Sequence, residues 1–336
     1  RDSLAPVLLL TLVTAGLALS GTTASPPRSF VYPVRSDDAI DHRVLPPVDT
    51  AALAREDEEN RDLRVPRRVA EMVEADYSTS NAGTWEALPD GGQLWRLRVT
   101  SHGARFLSFK LADFELPPGA ELRFYSVDRD DDHGPFTSGN NNEARRFGSG
   151  AVAGDSAVIE LYVPAGVPAP SFRVESVSHG YRGFRGVDGV AFRDPGREVE
   201  FPRGRDGNPV PLVKFWCQKD INCPEGQPYQ TEKRAVAEGY DGRYVCSGQM
   251  VNNARQDCKH YYLTAAHCEW YRDPATMVYY WNYENSTCGG NDAPVNQYSV
   301  GSWHRFSIMD DRVGDVTLME LYNNLSVYNV YFMGWT

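Results

Sequence analysis

The residues of this chain best suited to chemistry lie at 261–268, which read YYLTAAHC. The aromatic and β-branched run predicts a strand, and His267 follows its end after two alanines. A histidine at a rigid strand end, with small neighbours that leave room around its ring, suits a general base for a serine hydroxyl. Cys268 could be tied to the upstream segment CSGQMVN through Cys246, which would fasten two strands beside the imidazole.

A histidine base of this kind needs a carboxylate that holds its tautomer and stabilises its protonated form. Asp315 stands at the start of a strand-like run, VTLMELY, 48 residues after His267. Asp310 and Asp311 stand close to the same run. Periodicity does not choose among these three aspartates.

Cysteine placement and the N-terminus indicate a secreted protein. All six cysteines lie between residues 217 and 288, and no Cys-x-x-Cys pair suggests a zinc or redox motif. Disulfides require an oxidising compartment. Residues 4–19, LAPVLLLTLVTAGLAL, follow an arginine and precede small residues, which predicts a signal peptide over 1–24. The run is short for a membrane span, so no stable membrane insertion is expected once it is removed.

The net charge restricts the class of partner. A formal charge of −11, with no basic stretch to offset it, argues against a nucleic-acid-binding protein. We expect protein or peptide substrates instead. Neither a cofactor nor a metal is expected.

The chain divides into four parts after the signal peptide. Residues 25–76 are interpreted as an extended and helical linker, with Asp49 or Thr50 capping the run AALAREDEEN and a second helical pattern in RRVAEMVEAD. Residues 77–185 alternate with period two around turns, including a hairpin at Asp90 and Gly91, and predict a β-sandwich-like domain. Residues 186–214 are rich in Gly, Pro and Arg and predict an exposed linker open to proteolysis. Residues 215–336 again read as strands, so the fold class is all-β.

The segment TAAHC with CSG upstream resembles the chymotrypsin-like serine proteases, and more closely the bacterial lysyl endopeptidase family. The C-terminal region shares with that family CxxxxxCPEG at 217–226, CSGQMVNN at 246–253, YYLTAAHC at 261–268, VYYWNYENSTC at 278–288 and GDVTLMEL at 314–321. The upstream region resembles the family's propeptide in GTWEALPDGGQLWRLRV, LPPGAELRFYS, GPFT, GDSAVIELYVP and SHGYRGF.

The resemblance implies a fold and roles for the two polar residues. It implies a prodomain followed by the N-terminal part of a chymotrypsin-like double β-barrel, here a truncated trypsin-like domain over 215–336. His267 matches the general base, and Asp315 matches the carboxylate that orients it, in the His-before-Asp order of such enzymes. Cleavage after lysine is the family's activity, and the chain's own prodomain is an implied partner.

The resemblance also assigns the cysteines. It pairs Cys246 with Cys268 and Cys223 with Cys288. The family partner of Cys217 lies in a C-terminal part that this sequence does not contain. Cys258 departs from the family pattern, and pairing with Cys217 or a free thiol both stay open.

The nucleophilic serine is expected outside this sequence. In the family's order it follows the aspartate by about 90 residues, whereas 21 residues follow Asp315. Four serines precede Asp315 in the wrong order: Ser247, Ser286, Ser302 and Ser307. We therefore expect the chain to be inactive by itself, with removal of the prodomain at Lys214, and with Arg203 and Arg205 as alternative sites.

A second class of function competes with the enzyme. The chain could be a secreted binding or adhesion protein whose protease-like region is catalytically dead. Retention of both His267 and Asp315 favours the enzyme, because a dead relative has no chemical need for either residue.

Overall fold

The computed structural model describes residues 25–60, 65–183, 220–288, 293–310, 312–322, 325 and 328–334. In that part of the chain the strands, in order, are β1 (His42–Val44), β2 (Arg67–Arg68), β3 (Ala70–Ser78), β4 (Thr84–Ala87), β5 (Gln93–Thr100), β6 (Phe106–Ala112), β7 (Glu121–Ser126), β8 (Asp132–Phe136), β9 (Arg146–Gly148), β10 (Val152–Ala153), β11 (Ser156–Val163), β12 (Arg173–Gly180), β13 (Val236–Tyr240), β14 (Tyr244–Val251), β15 (Tyr261–Thr264), β16 (Val278–Trp281), β17 (Tyr298–Val300), β18 (Ser302–Asp310) and β19 (Gly314–Leu321).

Helices are few and short in the described residues. The two α-helices are α1 (Arg28–Val31) and α2 (Thr50–Glu59), and single 3₁₀ turns cover Ser138–Asn140, Pro224–Tyr229, Glu232–Ala235, Ala266–Cys268, Trp270–Arg272 and Pro274–Thr276. The fold class is all-β, as predicted. None of the helices in the described ranges has the length and apolar character that crossing a membrane requires.

The N-terminal half is built from two sheets that pack face to face. One sheet has the order β1-β5-β11-β7-β8 with β4 paired to β5, and the other has the order β10-β6-β12-β3 with β9 paired to β6. Their facing side chains form one core, in which Phe109 of β6 stacks on Phe124 of β7 with ring centroids 5.3 Å apart. A core enclosed between two facing sheets is the arrangement of a β-sandwich.

The predicted hairpin at Asp90 is confirmed. β4 and β5 pair antiparallel, from Thr84 opposite Arg96 to Ala87 opposite Gln93. Gly91 lies in the turn with φ of +82°, a conformation that glycine adopts without steric cost. The Asp90 side chain accepts a hydrogen bond from the backbone N–H of Gly92 at 2.9 Å, which closes the turn.

The helical interpretation of residues 67–76 is wrong. α2 forms as expected, with Asp49 as its N-cap accepting from the backbone N–H of Ala52 at 2.9 Å. The second pattern, RRVAEMVEAD, instead forms β2 and β3, and β3 pairs antiparallel with β12. Its charged residues resemble a solvated helix face, but tertiary pairing with a sheet edge overrides that local preference.

Residues 25–45, expected to be an extended linker, lie against the sandwich. β1 pairs parallel with β5, and Ile40 and Leu45 are buried. Arg28 donates its backbone N–H to Glu160 at 2.6 Å, and Arg96 donates to Asp37 at 2.8 Å. Buried ion pairs and hydrogen bonds therefore hold this segment on the outer face of the first sheet.

The C-terminal region forms a third, curved sheet with the order β17-β16-β13-β14-β15-β19-β18, and we call it the C-terminal sheet. Its core is aromatic and sulfur-rich: Tyr262, Tyr279, Trp270 and Trp281 pack with Met250, Met277 and Met319. The strands follow one another through antiparallel neighbours, the pattern of a single curled barrel sheet. β15 and β19 lie side by side toward the β18 edge of this sheet, and they carry the chemistry described below.

The sandwich and the C-terminal sheet share a polar contact surface. Lys110 of the sandwich donates to the Asp273 carboxylate at 3.0 Å, and Arg146 donates to the same carboxylate at 3.3 Å. The backbone N–H of Ala151 donates to the Tyr280 hydroxyl at 2.9 Å. Such groups are costly to bury without partners, so their pairing fixes how the two regions dock.

Candidate active site

His267 lies in the 3₁₀ turn that ends β15. β15 is held between β14 and β19, and the chain turns sharply after Thr264, whose hydroxyl donates to the carbonyl of Ser247 at 2.9 Å. The small residue Ala266 is fully buried beneath the turn. A rigid strand end therefore presents His267 with its side chain 30% exposed.

Asp315 enters the site at the start of β19. The register places Thr317 opposite Thr264, so the residue two positions before Thr317 reaches past the end of β15 toward the histidine turn. β18 covers the other edge, with Met309 opposite Asp315. Strand pairing thus brings together two residues that are 48 positions apart in the chain.

The two side chains form a directed pair. Nδ1 of His267 lies 2.6 Å from Oδ2 of Asp315, and the backbone N–H of His267 donates to Oδ1 at 2.9 Å. The Asp315 side chain is 37% exposed, so the pair sits at the surface of the sheet. Binding through both oxygens fixes the carboxylate relative to the ring.

The charge state of Asp315 defines the tautomer of the ring. The hydrogen bond from the His267 side chain, aided by backbone N–H groups, holds the pKa of Asp315 below its ordinary value. An ionised carboxylate only accepts, so Nδ1 of His267 carries the proton it donates. This arrangement leaves Nε2 as the ring nitrogen able to take a proton from another group.

The competing aspartates differ in their roles. Asp310 closes the β18–β19 turn, where its Oδ1 accepts from the backbone N–H groups of Arg312 at 2.8 Å and Val313 at 3.0 Å. Asp311 lies outside the described residues. Among the described candidates, the carboxylate that reaches the histidine is Asp315.

Both predicted disulfides are present. Cys246 of β14 bridges Cys268, with Cα atoms 6.3 Å apart, and fastens the histidine turn to the neighbouring strand. Cys223 bridges Cys288 across a sequence separation of 65 residues. Cys258 is exposed and has no disulfide partner in the ranges that the structure describes, whereas Cys217 and the predicted processing residue Lys214 lie outside those ranges.

A metal does not account for the cluster around the histidine. The sulfurs of Cys246 and Cys268 lie close to the ring of His267, which is the composition of a possible ligand set. Those sulfurs are joined in a disulfide, and metals bind thiolates. The ring nitrogen Nδ1 is engaged by Asp315, so the geometry favours proton transfer.

The sequence pattern missed a packing support for the turn. Trp270, two residues after Cys268, is buried and lies against Tyr262, with ring centroids 6.0 Å apart. Its indole fills the space above Gly239 of β13, where a Cβ atom would come within 2.0 Å of the ring. A glycine in the middle of a predicted strand is the signal for such a close approach.

An all-β fold that carries a histidine–aspartate pair beside a strand-linking disulfide defines the chymotrypsin-like class. Residues 41–181 match the sequence model of the lysyl endopeptidase N-terminal domain, and residues 215–336 match that of the lysyl endopeptidase C-terminal domain. A curated relative, a lysyl endopeptidase from Pseudomonas aeruginosa, is 24% identical over 279 residues, which cover 75% of this chain and 54% of the relative.

These matches establish the family. The chain belongs to the lysyl endopeptidase family, which is a family of proteases. It spans about half the length of the curated relative that it matches.

Proposed function

We propose that the chain is part of the precursor of a secreted serine endopeptidase that cleaves after lysine. The observation that supports this proposal is the pair formed by His267 and Asp315, with Nδ1 and Oδ2 2.6 Å apart. The similarity to a lysyl endopeptidase supports the lysine preference, and the disulfides suit an oxidising, extracellular compartment. Residues 1–24 would be the signal peptide and Lys214 the processing site.

The geometry of the pair supports a role for each residue. Nε2 of His267 would take the proton of a serine hydroxyl as that oxygen attacks the scissile carbonyl, and would return it to the leaving amine. Asp315 would hold the ring in the Nδ1–H tautomer and stabilise the imidazolium. The serine, which follows the aspartate in this order, would come from beyond Thr336, so the 336-residue chain would not hydrolyse peptides alone.

The complete secreted enzyme tests this proposal. We expect it to cleave peptides after lysine at least tenfold faster than after arginine or phenylalanine, and to lose this activity in the variant His267→Ala. Labelling by a fluorophosphonate probe should identify one reactive serine in the native enzyme, because the reagent reacts with activated serines. Equal cleavage after all three residues would contradict the proposed lysine specificity, but it would be consistent with the proposed protease activity. A fully active His267→Ala variant would overturn the mechanism.

The alternative function is that of a binding protein with a catalytically dead protease region. No contact among the described residues favours it. Such a protein would not need an ionised carboxylate held at two points on one histidine. Absence of any serine labelling in the complete protein would favour that alternative.

A further inference from the structure

The strand β14 has an edge that its own sheet does not fully cover. β15 pairs with residues 249–251 and then ends, because the chain turns away to place His267. The beginning of β14, Tyr244 and Val245, extends beyond that end. Unpaired edges of this kind accept extended peptide segments through main-chain hydrogen bonds.

The strand β2 of the N-terminal region occupies this edge. Val245 pairs with Tyr240 of β13 on one side and with Arg67 of β2 on the other, so β2 lies on the edge that β15 leaves open. The neighbouring Val69 donates its backbone N–H to the carbonyl of Arg243 at 2.9 Å. Val69 and Arg243 thus form a hydrogen-bonded pair. Along an antiparallel ladder every second pair is hydrogen-bonded, so the next one, two residues away, joins Arg67 to Val245.

The occupied edge lies close to the catalytic histidine. Val245 and His267 each neighbour one cysteine of the bridge from Cys246 to Cys268, whose Cα atoms are 6.3 Å apart. Because consecutive Cα atoms are about 3.8 Å apart, the Cα atoms of Val245 and His267 lie within about 14 Å. An extended peptide covers that distance in about four residues.

The strand direction defines which part of a peptide would bind there. β2 runs antiparallel to β14, and β14 runs from Tyr244 toward Cys246 and the histidine turn. In a strand bound at this edge, the residues that precede those paired with Tyr244 and Val245 therefore lie closer to His267. A substrate bound in the same sense would place the residues after its scissile bond, the leaving-amine side, on this edge.

We propose that β2 is an autoinhibitory strand, which occupies the edge of β14 where the leaving-amine side of a polypeptide substrate would bind. This inference rests on the function proposed above. The strand leaves His267 and Asp315 uncovered, since both side chains are about one-third exposed. The prodomain thus blocks one side of the substrate path without touching the catalytic pair.

The N-terminal region anchors β2 from its other side. The guanidinium of Arg68 donates to Asp57 at 2.9 Å and to Glu56 at 2.9 Å, and both carboxylates belong to α2. Arg67 donates to the carbonyl of Gly183 at 2.7 Å. A strand of two residues needs such anchors, because two residues alone form too few contacts to stay paired.

The test uses the complete enzyme after linker cleavage, with the prodomain still docked, and two substrates. A peptide anilide has no residues beyond the scissile bond, and a longer peptide has three. Relative to prodomain-free enzyme, we expect docking to slow the longer peptide at least about tenfold in kcat/KM and the anilide by less than about threefold. Native mass spectrometry measures the docked fraction.

Two variants at position 67 distinguish the effect of main-chain pairing by β2 from the effect of the Arg67 side chain. Arg67→Pro removes the N–H that pairs with Val245, and we expect it to restore cleavage of the longer peptide. Arg67→Ala removes the same side chain but retains that N–H, and is therefore the matched control. The Arg68 anchors to Asp57 and Glu56 remain in this variant, so we expect most of the block to persist. Arg68→Glu, which repels Asp57 and Glu56, gives a second route to releasing the strand if Arg67→Pro does not fold.

The outcomes distinguish the two proposals. Equal slowing of both substrates, no slowing of either, or release of the prodomain as soon as the linker is cut would overturn the autoinhibitory strand. If prodomain-free enzyme cleaves neither substrate, the proposed protease function itself fails.

Discussion

At the scale of residues, Asp315 contacts His267 twice. Oδ2 accepts from the ring and Oδ1 accepts from the backbone N–H of the same residue, which fixes the ring before any substrate arrives. Because the ring hydrogen bond lowers the pKa of Asp315, its carboxylate stays ionised to a lower pH than an ordinary aspartate. This arrangement supports the general-base role proposed for His267.

The variant Asp315→Asn tests this role in the complete enzyme. The amide preserves the size of the side chain but offers an N–H group and no charge, so it cannot hold the Nδ1–H tautomer. We expect kcat/KM to fall on the order of 10³–10⁴-fold, with the folded structure retained. Steady-state kinetics and far-UV circular dichroism check the two parts.

Asp310→Asn is the matched control. Asp310 lies five residues away and closes a turn through backbone N–H groups, so its loss should leave kcat/KM within about twofold. An equal loss of activity in both variants would contradict the assignment of Asp315.

At the scale of elements, the Cys246–Cys268 disulfide joins β14 to the histidine turn. Replacing both cysteines by alanine removes a covalent loop closed across 22 residues of sequence. We expect the free energy of unfolding to fall by about 3 kcal/mol, measured by urea denaturation. Cys258→Ala, at an exposed free thiol, is the control and should change it by less than about 0.5 kcal/mol. Equal effects would contradict a structural role for the bridge.

Packing of β13 against Trp270, in the turn that comes after His267, gives another prediction. Gly239→Ala would place a methyl group 2.0 Å from the buried indole of Trp270. We expect the free energy of unfolding to fall by about 1–3 kcal/mol, because a closely packed core must shift to admit the methyl. Gly139→Ala, where the added atom meets Thr137 at an ordinary 3.5 Å, should be nearly neutral. A neutral Gly239→Ala would show that Trp270 moves freely.

The sequence predicts these elements unevenly. The hairpin at Asp90 and the strand before His267 carry strong local patterns, and the structure has both. β3 does not carry one, because its charged residues match a helical surface as well as an edge strand. Its identity comes from pairing with β12, a contact that local sequence does not encode.

The residues of the candidate site also differ in how well the local sequence predicts them. His267 is recognised from its immediate neighbours, whereas Asp315 competes with Asp310 until the register of β19 against β15 is known. The support from Trp270 depends on a distant glycine. The local pattern alone does not choose Asp315, and the family resemblance rather than periodicity assigns its role before the register of the strands is known.

At the scale of the whole molecule, the sandwich and the C-terminal sheet dock through a charged contact at Asp273 in addition to shared apolar packing, in which Phe106 lies against Tyr240. The Asp273 carboxylate accepts from both Lys110 and Arg146, and from the hydroxyl of Thr276 at 2.7 Å. Burial acts to raise the pKa of Asp273, but Lys110, Thr276 and Arg146 together hold it below the ordinary value. The charged form is therefore the one that the interface stabilises.

This linkage defines a pH dependence that Asp273→Asn removes. The lowered pKa in the folded state means that the stabilisation is complete above the ordinary aspartate pKa of about 3.9 and is lost as pH falls through the lower folded value. We expect Asp273→Asn to reduce the free energy of unfolding by about 1–3 kcal/mol at pH 7, with a difference from wild type that shrinks below about pH 4. Urea denaturation at several pH values measures this difference.

The control is Glu115→Gln, which breaks an exposed pair with Arg145 and should lower the free energy of unfolding by less than about 1 kcal/mol. A difference independent of pH would mean that shape, and not charge, fixes the docking of the two regions.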